Sequence, residues 1–179
     1  MPQPAPGAGA PSGASAYVQS LLSLLGPDDP LEVMAALAPQ LERTLEEVPA
    51  AAIERPEAPG KWSVAQVVRH LVDTELVYGY RLRRIVAEDR PALAAIDENR
   101  WAERLRHEGA GLAETLGVLR ALRGWNLRLW RSLTEGELDR VGLHAERGPE
   151  SARLLRSLVA AHDLVHRRQV GRILAAAGR

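Results

Sequence analysis

The sequence predicts an all-α protein, a four-helix bundle, from its composition and from the spacing of its apolar residues. Ala, Leu, Arg and Glu are abundant and Phe is absent from the 179 residues, and those four abundant residues are good helix formers. Four long stretches repeat apolar residues at three- and four-residue steps, which is the period of an amphipathic helix. A chain of this length fits one domain, which we place at residues 15–179.

The first stretch, residues 1–14, has a different composition. It reads MPQPAPGAGAPSGA and shows no apolar periodicity. Such a Pro/Gly/Ala tract buries too little apolar surface to offset the entropy of ordering it, so we predict a disordered tail.

The first long helix begins at an aspartate cap, Asp28 or Asp29, with Pro30 in its first turn. Pro39 lacks a backbone N–H and its ring clashes with the preceding turn, which predicts a break or kink just before it. The helix then resumes as far as Pro49. Residues 49–61 contain three prolines and a glycine and are predicted to form a loop.

The second long helix starts at Ser63, which forms a capping box with Gln66, and it runs to about Glu88. The third spans residues 110–134 and the fourth runs from about residue 150 to residue 177. Two further loops are predicted, one that runs from Arg90 and carries DENRWAERLRHEG, and one over residues 135–149.

Charge and cysteine content exclude several classes of function. Lys plus Arg and Asp plus Glu number 23 each, so the basic excess of nucleic-acid-binding proteins is missing. The cluster of Arg81, Arg83 and Arg84 is interpreted as a solvated helix face. There is no cysteine, which leaves His and carboxylates as metal ligands. Neither a membrane-spanning stretch nor a secretory signal is present, and we expect a cytoplasmic location.

A pair of histidines in the last helix carries the chemistry. His162 and His166 are four residues apart and interrupt the apolar stripe, so both side chains should point into the bundle. Their rings could bind one cation, with His70 of the second helix as a third ligand. From the periodicity alone, two core histidines with ordinary hydrogen-bond partners fit equally well.

Four motifs resemble those of the DinB-like superfamily. Residues 61–73, KWSVAQVVRHLVD, resemble its K-W-S-x-x-[EQ]-x-x-x-H-L-x-D signature, and residues 162–169, HDLVHRRQ, resemble its H-x-x-x-H-x-x-Q element. DENRWA at 97–102 is similar to a loop of the YfiT/bacillithiol-transferase branch, as is HAERG at 144–148. The four motifs occur in order, and the resemblance covers residues 28–177.

The resemblance implies a bundle, often a homodimer, that holds one divalent metal ion, zinc or nickel, on His70, His162 and His166. It implies a metal-dependent enzyme acting on a small molecule. The first candidate is a thiol S-transferase that joins a thiol such as bacillithiol to an electrophile. The alternatives are a hydrolase that uses metal-bound hydroxide and a non-catalytic metal-binding stress protein.

Four other residues are candidates for the pocket. Asp73 lies one turn after His70 and could orient its ring, or could face solvent. Asp97 and Trp101 belong to the DENRWA loop and are expected at the pocket mouth. Gln169 either forms a hydrogen bond with a metal ligand or closes the core.

The remaining histidines and charged residues have simpler interpretations. Asp163 points about 100° away from His162 and is expected at the surface. His107 and His144 are expected to be exposed in loops. Arg81 could alternatively bind the carboxylate of a thiol cosubstrate. Trp62 and Tyr78 are expected in the core.

Overall fold

The computed structural model describes residues 13–105 and 109–178. The predicted tail lies almost wholly outside this part, since the first described helix begins at Gly13. Disorder of the tail therefore stays a prediction.

The described residues include eight α-helices and three short strands. The helices are α1 Gly13–Leu25, α2 Pro30–Leu45, α3 Ala50–Glu54, α4 Val64–Ala87, α5 Glu98–Arg104, α6 Leu112–Ser132, α7 Glu135–Leu138 and α8 Ala152–Ala177. The strands are β1 Ala92–Leu93, β2 Val141–His144 and β3 Gly148–Ser151.

Four long helices form the bundle, and the predicted fold class is confirmed. α2 and α4 each pack against both α6 and α8, and α1 covers a further side of α8. The interior is filled mainly by Leu, Val, Ile and Ala, with Met34 and Trp130 among the larger buried side chains. No helix among the described residues has both the length and the apolarity that crossing a membrane requires.

α4 and α6 run in the same direction although they follow one another in the chain. Arg69, near the start of α4, donates to the carbonyl of Ala110 just before α6, and Asn126, late in α6, donates to the carbonyl of Glu75. A connection between parallel neighbours has to return along the bundle. That connection carries β1 and α5, and it brings α5 against α4.

Pro39 was predicted to break or kink the first long helix. The break is wrong, because α2 continues through Pro39 to Leu45, and the kink stays a prediction. Pro39 lies on the exposed side of the helix, where solvent can hydrate the carbonyl that loses its donor. The opposite face buries Met34, Leu37 and Leu41 in the core, and that burial holds the helix together across the proline.

Two predicted helix starts are confirmed. The Ser63 hydroxyl accepts from the backbone N–H of Gln66 at 3.2 Å, and the Gln66 side chain accepts from the N–H of Ser63 at 2.9 Å. The Asp29 carboxylate caps α2 by accepting from the N–H of Leu31 at 2.7 Å.

The three predicted loops contain structure that periodicity did not reveal. Residues 49–61 include α3, residues 90–109 include β1 and α5, and residues 135–149 include α7, all of β2 and the start of β3. β1 pairs with β2 in parallel and β2 pairs with β3 antiparallel. These elements have two to seven residues each, which is too short for a periodic pattern.

Candidate metal centre

Three histidine rings meet between α4 and α8. The Nε2 atom of His162 lies 3.2 Å from Nε2 of His70 and 3.1 Å from Nε2 of His166. The potential ligand atoms of the three residues all lie within 4.8 Å of one another. Their convergence follows from the i, i+4 spacing on α8 and from the packing of α4 against that face.

Burial keeps the three rings neutral. Their exposed fractions are 5% for His70, 4% for His162 and 8% for His166. Desolvation, with a smaller contribution from His166, lowers the pKa of His70 to about 3. Desolvation and the neighbouring rings also hold the pKa of His162 well below its ordinary value. Neutral imidazole is the form that binds a metal ion.

Gln169 fixes the orientation of His166. The Nδ1 atom of His166 lies 2.7 Å from Oε1 of Gln169. An amide oxygen only accepts hydrogen bonds, so Nδ1 carries the proton and Nε2 keeps its lone pair for the centre of the cluster. Of the two roles considered for Gln169, the structure shows the hydrogen bond to a candidate ligand.

The spacing of the nitrogens fits a metal ion. Two ligands bound at about 2.0–2.1 Å in tetrahedral or octahedral geometry lie roughly 2.9–3.4 Å apart. The two shortest Nε2–Nε2 distances, 3.1 and 3.2 Å, fall in that range. Without a metal ion, two neutral imidazole nitrogens at this distance can form only one hydrogen bond, through a single proton. A metal cation can accept the lone pairs of all three rings. The buried triad therefore indicates a divalent metal ion.

Cavities open beside two of the three ligands. One of about 250 Å³ is lined by His70, Asp73 and Glu98 among others. A wider one of about 800 Å³ is lined by His166, Gln169 and Trp62 among others. The Trp62 ring lies near the His70 ring, with 4.9 Å between centroids. Among the described His, Cys, Asp and Glu side chains, only the three histidines form the candidate ligand group, and the two cavities lie beside it.

Glu98 is a site residue that the sequence did not single out. Its Oε2 atom lies 3.9 Å from Nε2 of His70. Asp97 is the N-cap of α5 and accepts from the N–H of Arg100 at 3.0 Å, which places Glu98 in the first turn of that helix. Partial burial raises the pKa of Glu98, while Arg81 and Arg147 oppose the shift. The signal in the sequence that could have identified this residue is the DENRWA motif, which contains Glu98.

The other candidates take different positions. Asp73 is buried, with 7% exposed, which contradicts the interpretation of a solvent-facing charge, and it lines the cavity beside His70. The α5 residues that line the two cavities include Glu98, Asn99 and Ala102. Trp101 is half-buried, and a position for Asp97 or Trp101 at the pocket mouth stays a prediction.

A buried ionic network stands behind the triad and corrects the prediction for Asp163. That carboxylate is only 2% exposed and receives two hydrogen bonds from Arg123 of α6. Arg123 also donates to Glu75 of α4 at 2.8 Å, and Asn126 donates to the same carboxylate at 2.8 Å. The Asp163 side chain points away from the metal ligands, as predicted, but it faces Arg123 of α6 and not solvent.

Two further predictions of exposure are wrong. His144 is 4% exposed, and Arg81, placed on a solvated face, is also 4% exposed. β2, which ends at His144, packs against α4, and Arg81 donates to the carbonyl of Ala94 just after β1. Local periodicity could not foresee these contacts. The packing is close, because a Cβ at Gly142 would come within 2.7 Å of the Leu93 side chain. His107 lies outside the described residues.

Comparison with known proteins agrees with the fold and finds relatives named as metal-dependent. YfiT of Bacillus subtilis (strain 168), named "Putative metal-dependent hydrolase YfiT", is 28% identical over 116 residues, which are 65% of each chain. A Bacillus mycoides (strain KBAB4) relative, named "Putative metal-dependent hydrolase BcerKBAB4_2443", is 26% identical over 87% of this chain and 89% of its own. An Oceanobacillus iheyensis relative, "Putative metal-dependent hydrolase OB0782", is 32% identical over 50% of this chain.

The match covers only 65% of the length of the Bacillus subtilis relative and 51% of that from Oceanobacillus iheyensis. A solved structure of Bacillus subtilis YfiT, described as having "an unusual four-helix bundle topology", superposes with a TM-score of 0.71 at 20% identity. It covers 98% of this chain and 93% of its own. The model of the family described as "DinB superfamily" matches residues 35–170. The chain therefore belongs to the DinB superfamily.

Proposed function

We propose that this chain is a metal-dependent enzyme that transfers a low-molecular-weight thiol, such as bacillithiol, to a small electrophile. The single observation that carries the proposal is the convergence of three neutral, buried imidazoles beside two cavities. Three protein ligands with free space alongside are typical of catalytic rather than structural sites. A bound divalent metal ion would lower the pKa of a thiol or a water molecule in that space.

Glu98 supplies the proton acceptor in this proposal. Its carboxylate reaches within 3.9 Å of His70 Nε2, and it lines the cavity in which a nucleophile would lie. A carboxylate whose pKa is raised by burial is better matched to accept a proton near neutral pH. The thiol sulfur then forms a bond to the electrophilic carbon, the leaving group departs with its electron pair, and the thiol proton stays on Glu98.

Trp62 and Gln169 shape the other side of the centre. The Trp62 ring stacks near the His166 ring, with 6.4 Å between centroids and 17° between planes. Gln169 fixes the proton of His166 on Nδ1, as described above. Both residues line the wide cavity, where the Trp62 ring offers an apolar face to an electrophile among otherwise mainly polar side chains.

Hydrolysis is the second candidate. It is supported by the names of the relatives, each of which reads "Putative metal-dependent hydrolase". The same Glu98 carboxylate would accept a proton from water in place of a thiol. The choice between the two reactions therefore depends on which nucleophile the cavities admit.

The test uses full-length protein with measured metal content, incubated with 1-chloro-2,4-dinitrobenzene and bacillithiol, and separately with p-nitrophenyl acetate alone. We expect thiol-dependent turnover in the first assay. Glu98→Gln should keep the metal and lose about 10²–10⁴-fold in rate, whereas His166→Ala should lose the metal. Turnover in the second assay alone would replace transfer by hydrolysis. Full metal binding without turnover in either assay would support a non-catalytic metal-binding protein.

We also propose a homodimer. Four large apolar side chains, Leu76, Tyr80, Val118 and Trp125, are 43–63% exposed, and they lie on α4 and α6, which pack against each other. Light scattering coupled to size-exclusion chromatography should give twice the 19.5 kDa chain mass. Trp125→Glu should shift the protein to monomer, and a monomeric wild-type protein would contradict the proposal.

A further inference from the structure

A third cavity, which shares Glu98 with the cavity beside His70, is lined by several hydrogen-bond donors. It has a volume of about 270 Å³, and its lining includes Arg81, His144, Tyr78 and Arg147, with Glu98 at the boundary. Glu98 also lines the cavity beside His70. The Tyr78 ring lies 5.8 Å from the His162 ring between centroids. A molecule in this cavity would therefore lie next to the metal centre.

Arg81 is a buried cation with little compensation. Its Nη2 donates to the carbonyl of Ala94, its Cζ lies 5.6 Å from the centre of the Tyr78 ring, and its Nε is buried without a hydrogen-bond partner. Among the described residues, no carboxylate lies within 4.0 Å of its guanidinium. A buried guanidinium is costly unless an anion pairs with it.

His144 adds a second donor. Its Nδ1 accepts from the backbone N–H groups of Glu146 at 3.2 Å and Arg147 at 3.3 Å. Nδ1 must then be the unprotonated nitrogen, so Nε2 carries the proton. That Nε2 is buried and has no partner in the structure. Two buried, unpartnered N–H groups, one of them on a cation, thus belong to residues that line the same cavity.

The acidic residues near the cavity compensate Arg81 only from a distance. Burial lowers the pKa of Arg81, and Glu150 and Glu98 oppose that shift, but neither forms an ion pair with its guanidinium. Arg147 is paired with Glu150, whose Oε2 accepts from Nη2 at 2.7 Å and from Nε at 3.1 Å. Glu146 lines the cavity but is exposed to solvent. Glu98 lies between the cavity and His70. The group that fits is a small acceptor with a negative charge.

We propose that this cavity binds a carboxylate group of the thiol or of the electrophile, with Arg81 and His144 as its donors. The carboxylate holds one end of the molecule while its reactive end extends past Glu98 to the metal centre. This inference rests on the proposed function for the identity of the molecule. Binding of the carboxylate is measured without turnover, so the two can fail separately.

The binding test titrates full-length, metal-loaded protein with succinate and, as an uncharged counterpart, succinamide, by isothermal titration calorimetry. We expect succinate to bind and succinamide not to bind over the same concentration range. Arg81→Gln should weaken succinate binding at least tenfold. The matched control Arg84→Gln, on the same helix but paired with Glu88 at the surface, should bind as the wild type does.

The titration is repeated on protein stripped of metal, because a carboxylate can also bind a metal ion directly. Retention of succinate binding without metal, and its loss in Arg81→Gln, supports the proposal. Binding that disappears with the metal and is insensitive to Arg81→Gln overturns it, as does absence of succinate binding. Circular dichroism checks the fold of each variant. If Arg81→Gln is unfolded, two other variants are compared with the wild type by the same criteria. They are Arg81→Lys, which keeps the charge but lacks the Nε–H group, and His144→Phe.

A turnover test identifies which reactant carries the carboxylate. The chain has no cysteine, so iodoacetate and iodoacetamide can be used as electrophiles without alkylating a protein thiol. In the reaction a C–S bond forms and iodide leaves. If wild type but not Arg81→Gln prefers iodoacetate, the electrophile carries the group. If wild type but not Arg81→Gln prefers 3-mercaptopropionate to 2-mercaptoethanol, the thiol carries the carboxylate. Absence of turnover with every pair contradicts the proposed function and leaves the binding result standing.

Discussion

Arg123 and Asp163 form a two-pronged ion pair inside the bundle, one residue away from His162. Nη2 of Arg123 donates to Oδ1 of Asp163 at 3.0 Å, and Nη1 donates to Oδ2. The same guanidinium donates to Glu75 and to the carbonyl of Met34, so one side chain connects all four bundle helices. Burial disfavours the charged guanidinium, but Asp163 and Glu75 outweigh burial and raise the pKa of Arg123 above its usual value.

Removing Arg123 should therefore destabilise the fold strongly. Arg123→Ala leaves two buried carboxylates without their cation, which costs about 3–5 kcal/mol in the free energy of unfolding. Arg120→Ala is the matched control on the same helix, because Arg120 pairs with Glu42 at the surface and such pairs contribute about 0–1 kcal/mol. Guanidinium chloride denaturation followed by circular dichroism measures both. Equal losses in the two variants would contradict the role of the network.

Gln169 should affect metal affinity more than stability. Gln169→Ala removes the acceptor for His166 Nδ1–H, so the ring can rotate and change tautomer, and metal affinity should fall about 10–100-fold. Gln169→Glu keeps an acceptor and should keep most of the affinity. Competition with a chromophoric chelator gives the dissociation constants. Gln40→Ala, which removes a surface partner of Arg167, serves as control, and an equal effect there would exclude a specific role.

His144 should make stability depend on pH in the acidic range. Burial, together with Arg147 and Arg81, lowers its pKa from the ordinary 6.5 to about 4. Between these values the unfolded chain binds a proton that the folded chain does not bind, so the free energy of unfolding falls as the pH drops from 6.5 to 4. His144→Gln removes up to one proton from the difference in proton binding between the unfolded and folded states. The slope of the free energy of unfolding against pH should therefore fall by up to about 1.4 kcal/mol per pH unit.

The measurement is urea denaturation of metal-free protein from pH 4 to pH 8. The other histidines contribute equally to both proteins and cancel in the difference. Above pH 7 the difference between wild type and His144→Gln should be constant, because His144 is neutral in both the folded and the unfolded state. Parallel curves below pH 6.5 would show that His144 titrates normally in the folded protein.

Two helical glycines should respond in opposite directions to alanine. A Cβ at Gly117 of α6 would have nothing within 4 Å, so Gly117→Ala should stabilise by up to about 1 kcal/mol through helix propensity. A Cβ at Gly79 of α4 would lie 2.5 Å from Nδ2 of Asn126, and Asn126 is held by Glu75 and Arg83. Gly79→Ala should therefore cost about 1–3 kcal/mol. Thermal unfolding measures both, and a shared sign would contradict the packing.

Much of the bundle could be predicted because its signals are local. The capping box at Ser63 depends on residues three positions apart, and the stripe that contains His162 and His166 follows from one helical repeat. The failures occur where distant segments decide the environment. Pro39 by itself predicts a break or kink, but α2 continues through it because the opposite face of the helix is buried. Glu98 lies in a segment without periodicity and acquires its position from the return connection between α4 and α6.

Four amphipathic helices, and two histidines on one face of the last of them, were predictable from the chain alone, because helix period and capping are properties of neighbouring residues. The packing of distant segments was needed to establish that His70 completes the cluster, that Asp163 faces Arg123, and that Arg81 and His144 are buried. Burial depends on which segments pack together, and the local pattern of a helix carries no information about the partner that covers its polar residues.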